Sequence, residues 1–184
     1  MTDPWNFAGE SPSLLAAGGT LTLVEGSSFC ISQPSADILP GTAQGLFFRD
    51  TRLISRFELR INGEACEVLA AAVTDPFSGA VAMRTRPVPG RADSHLLILR
   101  ARHIGRGMRD DITVRNFGDE PAYCSVEVSV DADFADLFEV KEGRPPGPGH
   151  HTMTATADSL VFKVQRGGSK RGVRVGFHDQ PHLA

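Results

Sequence analysis

The chain has 184 residues, of which 41% are hydrophobic and 22% charged. That is the balance of a globular domain long enough to bury a core without disulfide or metal staples. Its 19 basic and 22 acidic residues leave a formal charge of −3, which argues against nucleic acid or an anionic membrane as a partner. No apolar run approaches the roughly 18 residues that mark a membrane span. The start, Met1-Thr2-Asp3-Pro4-Trp5, has neither the basic nor the apolar region of a secretory signal. Cys30, Cys66 and Cys124 are far apart and form no CxxC pair. Free thiols in a reducing compartment are therefore expected, with a cytoplasmic location, rather than a disulfide framework or a zinc site.

Residues 1–19 are rich in Gly, Ser and Pro and weakly patterned, and are read as a flexible leader. Residues 20–184 are read as one domain. Strands are expected at 20–25, 28–32 and 45–49. The clearest strand is Arg56–Ile61, where Phe57, Leu59 and Ile61 alternate with Arg56, Glu58 and Arg60. It runs into Asn62-Gly63, a pair suited to a two-residue hairpin turn, so residues 65–73 are expected to return against it. Strands follow at 80–86 and 95–104. The alternation Cys124, Val126, Val128, Val130 predicts another strand, joined to residues 111–117 as a hairpin through Gly118-Asp119-Glu120-Pro121. In Asp133–Lys141 the spacing of Phe134, Leu137 and Phe138 predicts one short helix with these three on its buried face. Residues 142–151 hold three prolines and are expected to form an exposed loop. Strands at 159–166 and 172–177 flank a turn at Gly167-Gly168-Ser169-Lys170. Many short strands with regular turns define an all-β fold: an antiparallel β-sandwich with at most one short helix.

Catalytic signatures are sparse. There is no GxSxG, no HExxH and no phosphate-cradling glycine loop. His150-His151 is a single adjacent pair with no third ligand, so no metal site is expected. Asp131, Asp133, Asp136 and Glu139 place four carboxylates in nine residues. An EF-hand is not expected, because loop position six, which needs glycine, is Asp136. A glycosidase needs two carboxylates across a sugar bond, and Asp133/Asp136 or Asp136/Glu139 are spaced as helix neighbours. The structural reading of these acids is helix capping, for which Asp131 and Asp133 are suited, or pairing with arginine. Sixteen of the 19 basic residues are arginine. Arg100, Arg102, Arg106, Arg109 and Arg115 crowd two consecutive strands, and Arg49, Arg52, Arg56 and Arg60 another stretch. They are read as neutralising the Asp110-Asp111 and Asp131–Glu139 acids along polar sheet faces; the other reading is an anion or sugar groove.

Two stretches go beyond a generic sandwich. One is Leu39-Pro40-Gly41-Thr42-Ala43-Gln44-Gly45-Leu46-Phe47-Phe48-Arg49-Asp50-Thr51-Arg52, continuing to Asn62-Gly63. The other runs from Arg102 and Gly107-Met108-Arg109 through Val114-Arg115-Asn116 to Asp133-Phe134-Ala135-Asp136-Leu137-Phe138-Glu139-Val140-Lys141. Together they closely resemble the N-terminal domain of bacterial and archaeal-type glycogen debranching enzymes (amylo-α-1,6-glucosidases), from about Leu21 to the end of the chain. The resemblance implies a β-sandwich that precedes an α/α-toroid glucosidase domain, with the catalytic carboxylates in the toroid. It implies no cofactor, no catalytic residue within this chain and, as partner, an α/α-toroid catalytic domain or subunit. An apolar patch is then expected where that partner docks.

On the residues themselves, Asp50 is placed to hold the fork of Arg49 or Arg52, and Asp133–Lys141 to dock on the sandwich edge. Arg49, Asp50, Arg52, Asp133, Asp136 and Glu139 are thus the candidates for domain docking or substrate contact. The alternative is a free-standing α-glucan-binding protein. A single Trp and a single Tyr give it few stacking platforms.

Overall fold

The computed structural model describes residues 19–87 and 94–178. The expected leader, apart from Gly19, lies outside the described residues. Among the described residues, thirteen strands and one short helix make an all-β sandwich of antiparallel sheets. In chain order the strands are β1 (Leu21–Glu25), β2 (Ser28–Ser32), β3 (Gly45–Phe48), β4 (Thr51–Ile54), β5 (Arg56–Ile61), β6 (Glu67–Asp75) and β7 (Ser78–Arg84). They continue with β8 (Leu96–Ile104), β9 (Met108–Asn116), β10 (Val126–Asp131), β11 (His150–Ala155), β12 (Ser159–Arg166) and β13 (Ser169–Gly176), with helix α1 (Leu137–Lys141) between β10 and β11.

One layer is the sheet β6-β7-β8-β9. It packs against β1-β2-β3-β4 and the ribbon β10-β5. The alternation of each strand sends one set of side chains into the shared core: Leu21 and Leu23, Leu46, Phe57, Leu59 and Ile61, Val81 and Met83, Leu96 and Ile98. The sheet β11-β12-β13 closes a second, smaller core around Phe134, Phe162 and Val164. Helix α1 covers Phe47 on the far side of β3, together with Ala135 and Val140. On the outer face of β6-β7-β8-β9, Ala70, Ala72, Ala80, Ala82 and Ala101 line a shallow apolar depression of about 370 Å³.

The Asn62-Gly63 turn forms as its residues dictate, with φ of 54° and 77°, and Ile61 bridges Glu64 across it. The hairpin stops there. One edge of β5 is taken along its length by β10, from Val126 opposite Ile61 to Asp131 opposite Arg56. On its other side Phe57 bridges Ile38. No edge is left for β6, which pairs with β7 instead. The second expected hairpin also fails, because β10 joins β5 rather than the free edge of β9. β9 pairs with β8, and residues 117–125 carry the chain across to β5. Asn116 anchors that crossing by accepting from Gly118 N–H at 2.9 Å and donating to the Glu120 carbonyl at 2.7 Å. The Gly167-Gly168 turn does close a hairpin, β12 with β13.

The strands β4 and β11 lie outside the expected set, and the proline loop ends at Gly149 because His150 already pairs with Gln165. The helix is shorter than expected. Phe134 sits before it at φ 53° and is buried in the second core, while Phe138 is 62% exposed and Val140 points inward. The apolar triad therefore does not share one helical face.

Candidate functional site

The two recognisable motifs meet. Arg52, on β4, reaches Asp133 across 81 residues of sequence as a fork, Nε to Oδ1 at 3.1 Å and a terminal nitrogen to Oδ2 at 2.5 Å. Its other terminal nitrogen donates to the carbonyls of Thr42 (2.7 Å) and Gln44 (3.1 Å). The guanidinium thus binds the Leu39–Gly45 approach, β4 and the Asp133 segment into one unit. Backbone bonds run alongside, from Arg52 N–H to the Ala135 carbonyl and from Leu137 N–H to the Asp50 carbonyl, both 2.9 Å. Gly45 is required by close approach: a Cβ there would lie 2.5 Å from Cδ of Arg52 and 2.9 Å from the Ile54 carbonyl oxygen.

The acids of the second motif are engaged by the chain itself. Asp136, rather than Asp131 or Asp133, is the N-cap of α1, and its Oδ1 accepts from Phe138 N–H at 2.9 Å. Glu139 completes the capping box by accepting from Asp136 N–H at 2.8 Å. Its other oxygen accepts from Gly147 N–H at 2.9 Å and pins the proline loop. Asp131 accepts from the N–H of its neighbour Ala132 at 2.7 Å. In the first motif Asp50 does not hold an arginine fork; that role falls to Asp133, which the fold brings to Arg52. Arg49 stands at the strand turn with φ 42°, exposed, its guanidinium 5.3 Å from the Phe48 ring centre.

Sequence reasoning missed Arg166. Its terminal nitrogens donate to the carbonyls of Phe134 (3.0 Å) and Asp133 (3.3 Å), and it lies 3.9 Å from Glu139. Partners that are backbone carbonyls leave no trace in a pattern of charges. Beside it opens a pocket of about 220 Å³ lined by Thr51, Phe134, Asp136, Val164, Arg166, Ser169 and Arg171.

A second charge cluster lies in the sandwich core. The alternation of β8 sends Arg100 and Arg102 inward with Ile98 and Ile104, and both are 1% exposed. They do not line a polar outer face. They are buried because Asp110, opposite Arg102 in the β8–β9 register, meets both: Nε of Arg100 at 2.9 Å and a terminal nitrogen of Arg102 at 2.8 Å. Asp37 takes Arg100 at 2.7 Å, and both guanidiniums lie within 5.5 Å of the Phe57 ring centre. Burial drives the Asp110 carboxyl up, but the fields and hydrogen bonds of Arg102 and Arg100 outweigh it and hold it below its ordinary range. Burial likewise pushes the Cys30 thiol up, more than the neighbouring Arg102 lowers it.

Among the described residues no group of three or more His, Cys, Asp or Glu side chains is gathered to hold a metal. His150 and His151 are exposed on β11. No helix among the described residues is long and apolar enough to cross a membrane.

An all-β sandwich whose two motif segments are clamped by an arginine fork defines the class of domain. Residues 23–184 match the family described as the N-terminal domain of (some) glycogen debranching enzymes. The chain belongs to that family. Comparison with curated proteins and with solved structures gave no match.

Proposed function

We propose that this domain is the non-catalytic N-terminal part of an α-glucan debranching enzyme, and that it braces a separate α/α-toroid glucosidase domain, working in the cytoplasm. One observation carries the reading. Asp133, Asp136 and Glu139, the acids of its most distinctive motif, are hydrogen-bonded into a clamp, a cap and a loop anchor. A general acid and a nucleophile need carboxyl groups that face each other across the bond to be cut. These three instead face backbone amides and arginine.

The clamp leaves Arg49 and Phe138 exposed, each one residue away from the Asp50–Leu137 hydrogen bond. An exposed phenylalanine beside a rigid, fully bonded joint suits a contact with a neighbouring domain. The alanine-lined depression on the outer sheet is a second apolar surface of the same kind.

The test is hydrolysis. The chain alone should release no glucose from a branched limit dextrin, and a glucosidase domain supplied with it should bind it. Glucose release by the chain that disappears in Asp136→Asn or Glu139→Gln would overturn the reading.

A further inference from the structure

One face of the β12–β13 hairpin changes character along its length. It begins apolar, with Leu160, Phe162 and Val164 against the second core, and ends in Arg166. The register sets Val173 opposite Phe162, Arg171 opposite Val164 and Ser169 opposite Arg166. Period two therefore gathers Arg166, Ser169 and Arg171 on the same face, past its apolar part. There they meet Thr51, Phe134 and Asp136 around the pocket of about 220 Å³. That is below the roughly 300–1,000 Å³ of pockets that enclose drug-sized ligands, so a small group is the fitting occupant.

The donors of this wall are uncommitted and its acids are not. The Thr51 hydroxyl, on a residue only 3% exposed, makes no hydrogen bond among the described residues, and neither do the Ser169 hydroxyl and the Arg171 guanidinium. Asp136 accepts from Phe138 N–H, and the two oxygens of Glu139 accept from the N–H groups of Asp136 and Gly147. Arg166 gives its terminal nitrogens to two backbone carbonyls, which carry no net charge, and Glu139 is 3.9 Å from it. Its Nε is buried with no hydrogen-bond partner among the described residues. The lining thus sets two guanidiniums against the single carboxylate of Asp136, and the local field favours an anion.

We propose that this pocket binds a phosphate group. Its free donors come from two strands, Thr51 at the start of β4 and Ser169 and Arg171 on β13. A planar carboxylate is satisfied by one guanidinium fork. Donors spread over separate elements suit an anion with oxygens on every side. The phosphate oxygens accept from Arg171 and the two hydroxyls, while Arg166, its terminal hydrogens already committed, contributes its charge. Phe134 and Val164, both buried, form the apolar side of the pocket, and the lower local dielectric strengthens these charge-assisted bonds. The chemistry is the same for inorganic phosphate and for the phosphoryl group of a monoester. This site does not depend on the bracing role, so either can fail alone.

Titrating the isotope-labelled 184-residue chain with inorganic phosphate, methyl phosphate and acetate, each at the same ionic strength, tests it. Saturable amide shifts in the roughly millimolar range are expected at Thr51, Ser169 and Arg171 with inorganic phosphate. Equal binding of methyl phosphate would assign the site to a phosphoryl group on a larger molecule, and binding of inorganic phosphate alone would assign it to the free ion; both uphold the proposal. Arg171→Ala should weaken binding roughly tenfold, with the unfolding midpoint unchanged because Arg171 is exposed on an edge strand. Thr51→Val, which keeps the shape and removes the hydroxyl, should weaken it severalfold. Absence of saturable shifts, shifts centred on other exposed arginines, acetate binding as tightly as phosphate, or undiminished binding by Arg171→Ala would each overturn the assignment.

Discussion

Arginine is buried in two regions of this domain, and the two burials are built differently. In the clamp, the Arg52 guanidinium makes four hydrogen bonds, two to Asp133 and two to backbone carbonyls. In the sandwich core, Arg100 and Arg102 share Asp110, and Nε of Arg102 and Oδ1 of Asp110 are buried without a hydrogen-bond partner among the described residues. The clamp joins segments 81 residues apart and is satisfied throughout. The core cluster joins β8 to β9 and, through Arg100 and Asp37, to a segment 63 residues away, and is not. A buried charge network contributes little net stability over an apolar core but is costly to break. The core cluster should therefore be the more damaging place to cut, although the clamp is the more complete structure.

The largest effect is expected at Asp110. Asp110→Ala leaves two guanidiniums in the core facing each other, with only Asp37 to compensate Arg100. A loss of about 3–5 kcal/mol is expected, read from urea or guanidinium unfolding. A loss near that of an ordinary surface change would mean that the two arginines find other partners. The same carboxyl sets a pH dependence. Its pKa in the folded state is held below the ordinary value of 3.8. The stabilisation it gives is therefore complete above pH 3.8 and is lost as pH falls through the lower folded value. Asp110→Asn should flatten the fall of unfolding free energy below pH 3.8, since the variant has no carboxyl there to protonate. An unchanged slope would show that other acids carry the acid lability.

Next comes the clamp. Arg52→Ala removes four hydrogen bonds and strands Asp133, whose side chain is only 22% exposed. About 2–3 kcal/mol is expected, and Arg52→Lys should not restore it, because an ammonium cannot make the two parallel bonds of a fork. A double-mutant cycle of Arg52→Ala with Asp133→Ala should give a coupling of about 1–3 kcal/mol. Additive losses would mean that the pair does not act as a unit. A smaller cost, about 1 kcal/mol, is expected when Asp136→Ala removes the cap of α1, read as the same denaturant midpoint shift.

The two regions also differed in how far the sequence disclosed them. The period-two pattern of Arg56–Ile61 marked a strand whose ends match those observed. The turn residues Asn62-Gly63 and Gly167-Gly168 predicted local geometry correctly, because a turn depends on φ at two residues. Pairing followed at Gly167-Gly168 but not at Asn62-Gly63. Whether a strand returns along its neighbour depends on which edges are free, and β10 had already covered β5. The same limit hid the clamp. Arg52 and Asp133 both stood out in their motifs, yet Asp50, two residues away in sequence, was the nearer partner on paper. Only the fold brings Asp133 to Arg52. In the core, period two places Arg100 and Arg102 on the same face as Ile98 and Ile104, although charge alone points to a polar face. Asp110, opposite in register, is what reverses that inference. β4 was hidden because its four residues follow directly on Arg49-Asp50, with no turn signal of glycine or proline between.

The smallest effect on the fold should come from the residue with the most to say about function. Phe138 was expected in the core and is 62% exposed; Val140 takes the buried position on α1. Truncating an exposed side chain costs stability within about 0.5 kcal/mol, so Phe138→Ala should leave the unfolding midpoint near that of the parent. If α1 and the Phe48–Arg49 turn meet a glucosidase domain, the same change should weaken that association by roughly tenfold, as loss of an aromatic anchor does at interfaces. Asp136→Ala would confound the two by loosening the helix itself. Phe138→Ala separates them, because it removes a contact without touching the cap or the clamp. Unimpaired association with the midpoint unchanged would move the docking surface away from the helix. The alanine-lined face of β6-β7-β8-β9 would then be tested by Ala80→Arg, a substitution that adds bulk and charge to an exposed position while leaving the core face of β7 intact.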